Sequence, residues 1–238
     1  MTELYKGDCL EEIRKLPNDS VDCIVTSPPY NLGGDFHTFV NGKRVTYGDY
    51  NTYKDKVDEK VYQQNQIEVL NECFRVLKDD GIMFYIHKHR IVKGMIISPS
   101  EWISDSKFII GQIVVLDFGA TANVDKRRFF PVYELCYVLK KNRGTKLNNY
   151  KCYTDVWKMK KVKRSVSKHP ATFHIELPTR CIESCTKEYD TVLDCYMGTG
   201  TTGVACKKLN RNFIGIELDE TYYELAKNRI DKAESEEL

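Results

Sequence analysis

From residue 191 to residue 232 the chain reads TVLDC, YMGTG, TTGVACKKL, then FIGIE and ETYYELAKNRIDK: an apolar run, a glycine turn, a helical stretch, a second apolar run and a second helical stretch. A strand that feeds a helix and returns as a strand requires parallel neighbours, because the helix carries the chain back to the starting edge of the sheet. The same alternation occurs earlier. Residues 21–25 (VDCIV) have the continuous apolar character of a buried parallel strand. Residues 61–78 space Ile67, Leu70, Phe74 and Leu77 as a helix does, Asp79-Asp80-Gly81 ends that pattern, and residues 82–86 form another apolar run. Residues 109–118 and 132–139 are longer β-branched runs flanking the polar insert 122–128, which predicts an antiparallel pair at a sheet edge; a further helix is expected over 175–186. The alternation predicts an α/β fold with a doubly wound sheet, whose ligands lie beyond the carboxyl ends of the strands.

At 238 residues the chain can bury roughly 70% of its unfolded surface, so a single domain over 1–238 is expected. No apolar stretch reaches the ~18 residues of a membrane span and MTELYKGD has no export signature, which predicts an intracellular protein. The nine cysteines lie mostly in apolar segments, as reduced core thiols do, and Cys181 and Cys185 have no second pair at zinc spacing, so no metal site is expected. The net charge of +2 conceals a basic segment. Residues 140–168 carry eleven lysines and arginines against Asp155 alone, with Tyr150, Tyr153 and Trp157 between them. That pattern fits a solvated face, and equally a phosphate-tracking surface with stacking groups.

Two turns at strand carboxyl ends carry the chemistry. In LDCYMGTGTTG, Gly198, Gly200 and Gly203 match G-x-G-x-x-G, and Glu217 ends the next strand, where a ribose-binding acid belongs. In a dinucleotide fold the first glycine follows the strand almost at once, but here Asp194 to Met197 intervene. A carboxylate at a strand tip suits a ligand with an ammonium group better than a pyrophosphate, and the string resembles the S-adenosylmethionine loop of class I methyltransferases. The other turn is TSPPY, residues 26–30. Prolines have no N–H, hold φ near −65° and extend the residue before them, so Ser27-Pro28-Pro29 is a rigid arc able to present acceptors. An exocyclic base amine is a poor nucleophile because its lone pair is delocalised; acceptors on its two hydrogens return electron density to nitrogen. Ser27 and the Pro28 carbonyl can supply them, and Tyr30 offers a ring on which an extruded base can stack.

TSPPY followed far downstream by DCYMGTGTTG and FIGIELDETYYELAKNRI resembles the β-type DNA amino-methyltransferases, in which the catalytic motif precedes the cofactor motif. GDCL at 7–10, RRFFPVYELCYVLKK, DVW and HPATFHIELPTRCI resemble further pieces of that family, so the likeness covers most of the chain. It implies a class I S-adenosylmethionine-dependent fold with a mostly parallel seven-stranded sheet, an antiparallel edge hairpin and a circularly permuted motif order. By position it assigns Ser27, Pro28, Pro29 and Tyr30 to the target amine; Asp8 and Cys9 to the adenine of the cofactor; His169, Pro170 and Thr172 to the rim; Asp194, Met197, Gly198, Gly200, Thr201 and Thr202 to the methionine end; and Glu217 to the ribose. Cys195, Tyr196 and Thr199 stand where the family more often has proline, phenylalanine and serine. His37, His87, His89 and His174 match no family motif and read as surface or packing residues.

Within the family Ser-Pro-Pro-Tyr accompanies mainly N4 of cytosine, and the Asp or Asn forms mainly N6 of adenine; both amines share one edge chemistry, so adenine stays open. RNA and protein-amide methylation, a nicotinamide oxidoreductase and a non-catalytic DNA-binding relative are the remaining alternatives. C5 methylation needs a thiolate, for which the related family uses Pro-Cys, a dipeptide this chain lacks. Duplex DNA is the expected partner, met by a loop over 31–60 and the basic segment 140–168, with Lys43, Arg44, Arg127, Arg128, Lys158, Lys160, Lys161, Lys163 and Arg164 as phosphate contacts. The resemblance also admits a homodimer and a cognate restriction endonuclease.

Overall fold

The computed structural model describes residues 1–32, 36–40, 43–47, 57–119, 129–148, 151–160 and 173–233, with 36–40 and 43–47 described as backbone only. Strand β1 (Thr2–Lys6) and the short helix α1 (Cys9–Ile13) open the chain and precede β2 (Val21–Thr26). Strands β3 (Phe36–Val40) and β4 (Lys43–Tyr47) pair as an antiparallel hairpin inside the expected 31–60 loop. Helix α2 (Glu59–Val76) begins where the Asp58 carboxylate accepts the Lys60 and Val61 N–H groups, as a helix N-cap should. It passes directly into β5 (Leu77–His87). The Asp79-Asp80-Gly81 stretch therefore does not end the helix, which stops at Val76, and it forms no separate turn. It is absorbed as an irregularity between the pairs Val21–Leu77 and Cys23–Ile82, with both aspartates exposed. A Cβ on Gly81 would lie 2.9 Å from the Asp22 carbonyl oxygen, so only glycine lets the two backbones meet there.

A small hairpin of β6 (Arg90–Val92) and β7 (Met95–Ile97) leads into helix α3 (Pro99–Ser104), started by a Ser98/Glu101 capping box. Then come β8 (Ile109–Asp117), β9 (Tyr133–Lys140), β10 (Val156–Lys158), α4 (Glu176–Glu183), β11 (Thr191–Asp194), α5 (Thr201–Lys208), β12 (Asn212–Glu217) and α6 (Glu220–Lys232).

The main sheet runs β1-β12-β11-β2-β5-β9-β8-β10. Its first five strands are mutually parallel, β9 is antiparallel to both neighbours, and β10 lies parallel to β8. The sheet thus has eight strands among the described residues, not seven, and the β8–β9 pair does not form its margin. The extra strand comes from the basic segment. Val156-Trp157-Lys158 alternates out, in, out, which buries Trp157 against the sheet, so that ring packs in the core and does not offer a stacking face.

Helices α1, α2 and α3 cover one face through Ile13, Leu70, Cys73 and Trp102; α4, α5 and α6 cover the other through Ile182, Cys206 and Ile230. All nine cysteines are free thiols. Among the described residues no helix is long and apolar enough to cross a membrane.

The first turn of α2 is tied to β6 by an ion pair. Arg90, almost wholly buried, donates to both carboxylate oxygens of Glu59 at 2.6 and 2.7 Å and stacks 4.9 Å from the Tyr62 ring. Removing the anion leaves a buried guanidinium without its counter-charge. Glu59→Ala should therefore lower the unfolding free energy by about 3 kcal/mol in urea titrations; a loss under about 0.5 kcal/mol would show the pair to be an ordinary surface contact.

Candidate active site at the carboxyl edge of the sheet

Helices follow β2 on one face and β11 on the other, so the strand order reverses between these two neighbours and a crevice opens beyond their carboxyl ends. β2 ends at Thr26, just before the Ser27-Pro28-Pro29-Tyr30 arc, and β11 ends at Asp194, just before the glycine turn. The Thr26 hydroxyl donates to Asp194 Oδ1 at 2.8 Å. The two sequence-predicted turns thus meet at one buried hydrogen bond.

Asp194 is buried, and its carboxylate takes further bonds from the Thr202 hydroxyl at 2.6 Å and the Tyr196 N–H at 3.2 Å. Burial pushes this carboxyl up to about 6 against those donors, which pull it down. The turn itself needs left-handed backbone at Gly198 (φ 53°) and Gly200 (φ 77°). Glu217, at the end of β12, accepts the Gly198 N–H at 2.8 Å and the Asp219 N–H at 2.9 Å, and burial raises its carboxyl as well. Met197 packs where β12 has Gly215; a Cβ there would come within 2.4 Å of its sulfur. From α6, Arg229 donates to the Thr199 hydroxyl at 2.7 Å and to the Thr199 carbonyl, bracing the turn from outside. Thr201 is buried in the first turn of α5, and Gly203 packs against Ile230 and Phe213. Asp8 follows β1 and caps α1, accepting the Leu10 N–H at 2.9 Å; Cys9 is buried, and burial raises its thiol.

On the other side of the crevice, the Tyr30 hydroxyl and the Pro29 carbonyl of the proline arc are bonded by groups on β9 and α2. The Ser27 hydroxyl lies 3.0 Å from the Tyr30 hydroxyl, which donates to Glu134 on β9 at 3.2 Å. Tyr62 of α2 places its hydroxyl 2.8 Å from the Pro29 carbonyl and 2.8 Å from Nε2 of His87, the last residue of β5. The His87 ring packs on Tyr30 with centroids 4.4 Å apart. Burial drives His87 down to about 3, so the imidazole is neutral; with Nδ1–H on the Lys88 carbonyl at 2.8 Å, Nε2 accepts and the Tyr62 hydrogen lies between two acceptors. Asn31, at φ 54°, closes the arc by accepting the Val57 N–H at 2.9 Å and donating to the Val57 carbonyl at 3.1 Å, which ties the end of the arc to the residue just before the α2 cap.

Ser27, Pro28, Pro29, Tyr30, Asp194, Met197, Gly198, Gly200, Thr201, Thr202 and Glu217 thus converge on one edge, with Asp8 and Cys9 beside them after β1. His169, Pro170, Thr172, Arg127, Arg128, Lys161, Lys163 and Arg164 lie outside the described residues; Lys43 and Arg44 sit on the backbone of β4, and Lys158 and Lys160 are exposed at β10. Thr26, Tyr62, Glu134 and Arg229 were not singled out by sequence reasoning, although a lone carboxylate in the apolar run YELCYVLK was a visible signal; His87, read from sequence as a surface or packing histidine, is buried and packs on Tyr30. Among the described residues no cluster of three or more acidic, histidine or cysteine side chains could hold a metal.

Known proteins are similar to this chain over most of its length. The type II methyltransferase M.HinfI of Haemophilus influenzae is 30% identical over 97% of this chain and 68% of its own, and M2.MboI of Moraxella bovis is 27% identical over 95% and 86%. The PvuII cytosine-N4-specific DNA methyltransferase superposes with a TM-score of 0.73 at 17% identity, covering 99% of this chain and 93% of its own. The M1.HpyAVI-SAM complex superposes at 0.67 and 23% identity, covering 96% and 100%. The DNA methylase family profile matches residues 21–228, a span that includes both turns and the strands between them, and the chain belongs to the N6/N4 DNA methylase family.

Proposed function

We propose that this chain methylates the exocyclic N4 amine of a cytosine swung out of duplex DNA, with S-adenosylmethionine as donor. The observation that carries this reading is the Thr26–Asp194 bond, which sets a proline arc rich in acceptors against a glycine turn rich in buried anions. The anionic half fits the donor. Asp194 and Glu217 are largely desolvated, and among the described residues neither has a lysine or arginine partner. Buried anions of this kind favour a ligand that brings an ammonium, a sulfonium and ribose hydroxyls, and disfavour a pyrophosphate. Asp194 and the turn from Met197 to Thr202 would hold the methionine end, Glu217 the ribose, Asp8 and Cys9 the adenine side, and His169, Pro170 and Thr172 the rim. When bound, the donor supplies an electrophilic methyl group on a sulfonium.

The protein's own part is to prepare the nucleophile. Ser27 Oγ and the Pro28 carbonyl accept the two amine hydrogens, while the hold of Tyr62 on the Pro29 carbonyl keeps the arc rigid. Tyr30, backed by His87, stacks on the base. Neutral His87 adds no cation beside the charge that develops on the amine. Serine at the head of the arc favours cytosine, as does the likeness to a cytosine-N4-specific enzyme. Exposed Lys158 and Lys160, with Lys43, Arg44, Arg127, Arg128, Lys161, Lys163 and Arg164, supply phosphate contacts.

Digestion of DNA methylated by the enzyme and mass spectrometry of its nucleosides should yield N4-methylcytosine; N6-methyladenine alone would transfer the assignment to adenine. The raised Asp194 carboxyl sets the pH response of donor binding. A cation prefers the carboxylate, so below about 6 a proton must leave on binding, and affinity falls with falling pH, by up to about tenfold per unit. Calorimetry across pH 5–7 should show this for the native enzyme and lose most of it in Asp194→Asn, which leaves Glu217 in place. A slope unchanged in that variant would exclude Asp194 as its source. Replacing both Lys158 and Lys160 by Ala should make the slope of log affinity against log salt shallower by roughly 2, about 0.9 per lost phosphate contact, with discrimination between DNA sequences unchanged; an unaltered slope would remove both residues from the interface.

A further inference from the structure

We propose that Glu134 is a positioning residue for the catalytic serine and the terminal acceptor of the proton that the target amine must lose, acting through Tyr30. This inference rests on the reading of Ser27 as an acceptor of that amine. β9 runs antiparallel to β5, with Leu135 opposite His87, so the beginning of β9 reaches the edge where the parallel strands end. Glu134 is half-buried there, and its Oε2 lies 3.2 Å from the Tyr30 hydroxyl, itself 3.0 Å from Ser27 Oγ.

Counting hydrogens gives the chain a direction. A carboxylate accepts and cannot donate, so the one Tyr30 hydroxyl hydrogen points to Glu134. Tyr30 oxygen is then the acceptor for the Ser27 hydrogen, and the lone pairs of Ser27 Oγ face the crevice. A neutral serine is thereby polarised by an anion two hydrogen bonds away.

The same chain disposes of a proton. As the amine lone pair forms the N–C bond, the C–S bond breaks with its electrons left on sulfur, and the nitrogen becomes cationic with one hydrogen too many. That proton passes to Ser27 Oγ, the Ser27 hydrogen passes to Tyr30, and the Tyr30 hydrogen passes to the Glu134 carboxylate. One proton has moved, Ser27 and Tyr30 are restored, and the positive charge on nitrogen and the negative charge on Glu134 have cancelled.

The test compares single-turnover methylation in native enzyme, Ser27→Ala, Glu134→Gln, Tyr30→Phe and the Tyr30→Phe/Glu134→Gln double variant. Dissociation constants for S-adenosylmethionine and duplex DNA are measured on each, with a thermal melt. Glu134→Gln keeps an acceptor for Tyr30 and removes the charge; its rate should fall about 100-fold, with both dissociation constants within about twofold of native. In the Tyr30→Phe background the chain is already cut, so the same substitution should cost under about threefold. A Glu134→Gln rate within about threefold of native, alongside a strongly impaired Ser27→Ala, would overturn the role of Glu134 and leave that of Ser27 intact. An equal loss in the Tyr30→Phe background would also overturn it, since Glu134 would then act by another route. Ser27→Ala at near-native rate would instead remove the reading on which the inference rests. Should Glu134→Gln lose its melting transition, Glu134→Asp takes its place in both backgrounds. Its withdrawn carboxylate should slow native enzyme about tenfold and the Tyr30→Phe enzyme hardly at all, and equal slowing would overturn the proposal.

Discussion

The hydrogen bond from Thr26 to Asp194 joins residues 168 positions apart and fixes where everything else at this edge must lie. A carboxylate as buried as Asp194 has to be satisfied within the protein, and it draws its donors from β2, from its own turn and from the first turn of α5. Meeting that demand aligns the ends of β2 and β11. It also orients the backbone that leaves each of them. The loops that leave two adjacent parallel strands toward opposite faces create a crevice by topology alone.

Around that contact the polar groups divide by charge. On the β11 and β12 side, Asp194 and Glu217 are anions held by hydroxyl and N–H donors, with their carboxyl groups raised by burial. On the β2 side, Ser27, Tyr30, Tyr62 and His87 are neutral, and burial keeps His87 so. Among the described residues, Lys88 over the Tyr30 ring at 5.3 Å and Glu134 beyond its hydroxyl are charged groups at the periphery of the arc. A cationic donor and a neutral nucleophile call for opposite surroundings, and a single dielectric environment could not serve both. The sheet separates them by one strand spacing.

Much of this was legible in the chain because it depends on local grammar. The strands 21–25 and 191–195 and the helices that follow them announce themselves through short apolar runs, caps and glycines, and each lies within a residue or two of its place. The arc and the turn could be read because proline and glycine restrict or free φ irrespective of surroundings. Elements with little periodicity could not. β1 and α1 are five residues each, β6, β7 and β10 three, and a strand of three residues is decided by its neighbours. Asp79-Asp80-Gly81 carries the composition of a turn, yet pairing with β2 absorbs it into β5. Glu134 escaped notice, and the place of His87 beside Tyr30 could not be foreseen, for a related reason. Their meaning depends on the β5–β9 register, which places residues 48 positions apart side by side, His87 opposite Leu135, and no local pattern encodes that.

The geometry also explains why a serine can head the proline arc. A carboxylate at position 27 would follow Thr26 directly, next to the strand end where Asp194 is already buried and short of solvation. A second carboxylate at this edge would add like charge beside a group already raised by burial. Serine adds no charge but is a weak acceptor alone. Glu134 restores the missing charge from β9, on the far side of the Tyr30 hydroxyl, where it is half-buried. The anion needed by the nucleophile and the anion needed by the donor are thereby kept on opposite flanks of the crevice, and two hydroxyl groups carry the effect of the first to the reacting nitrogen.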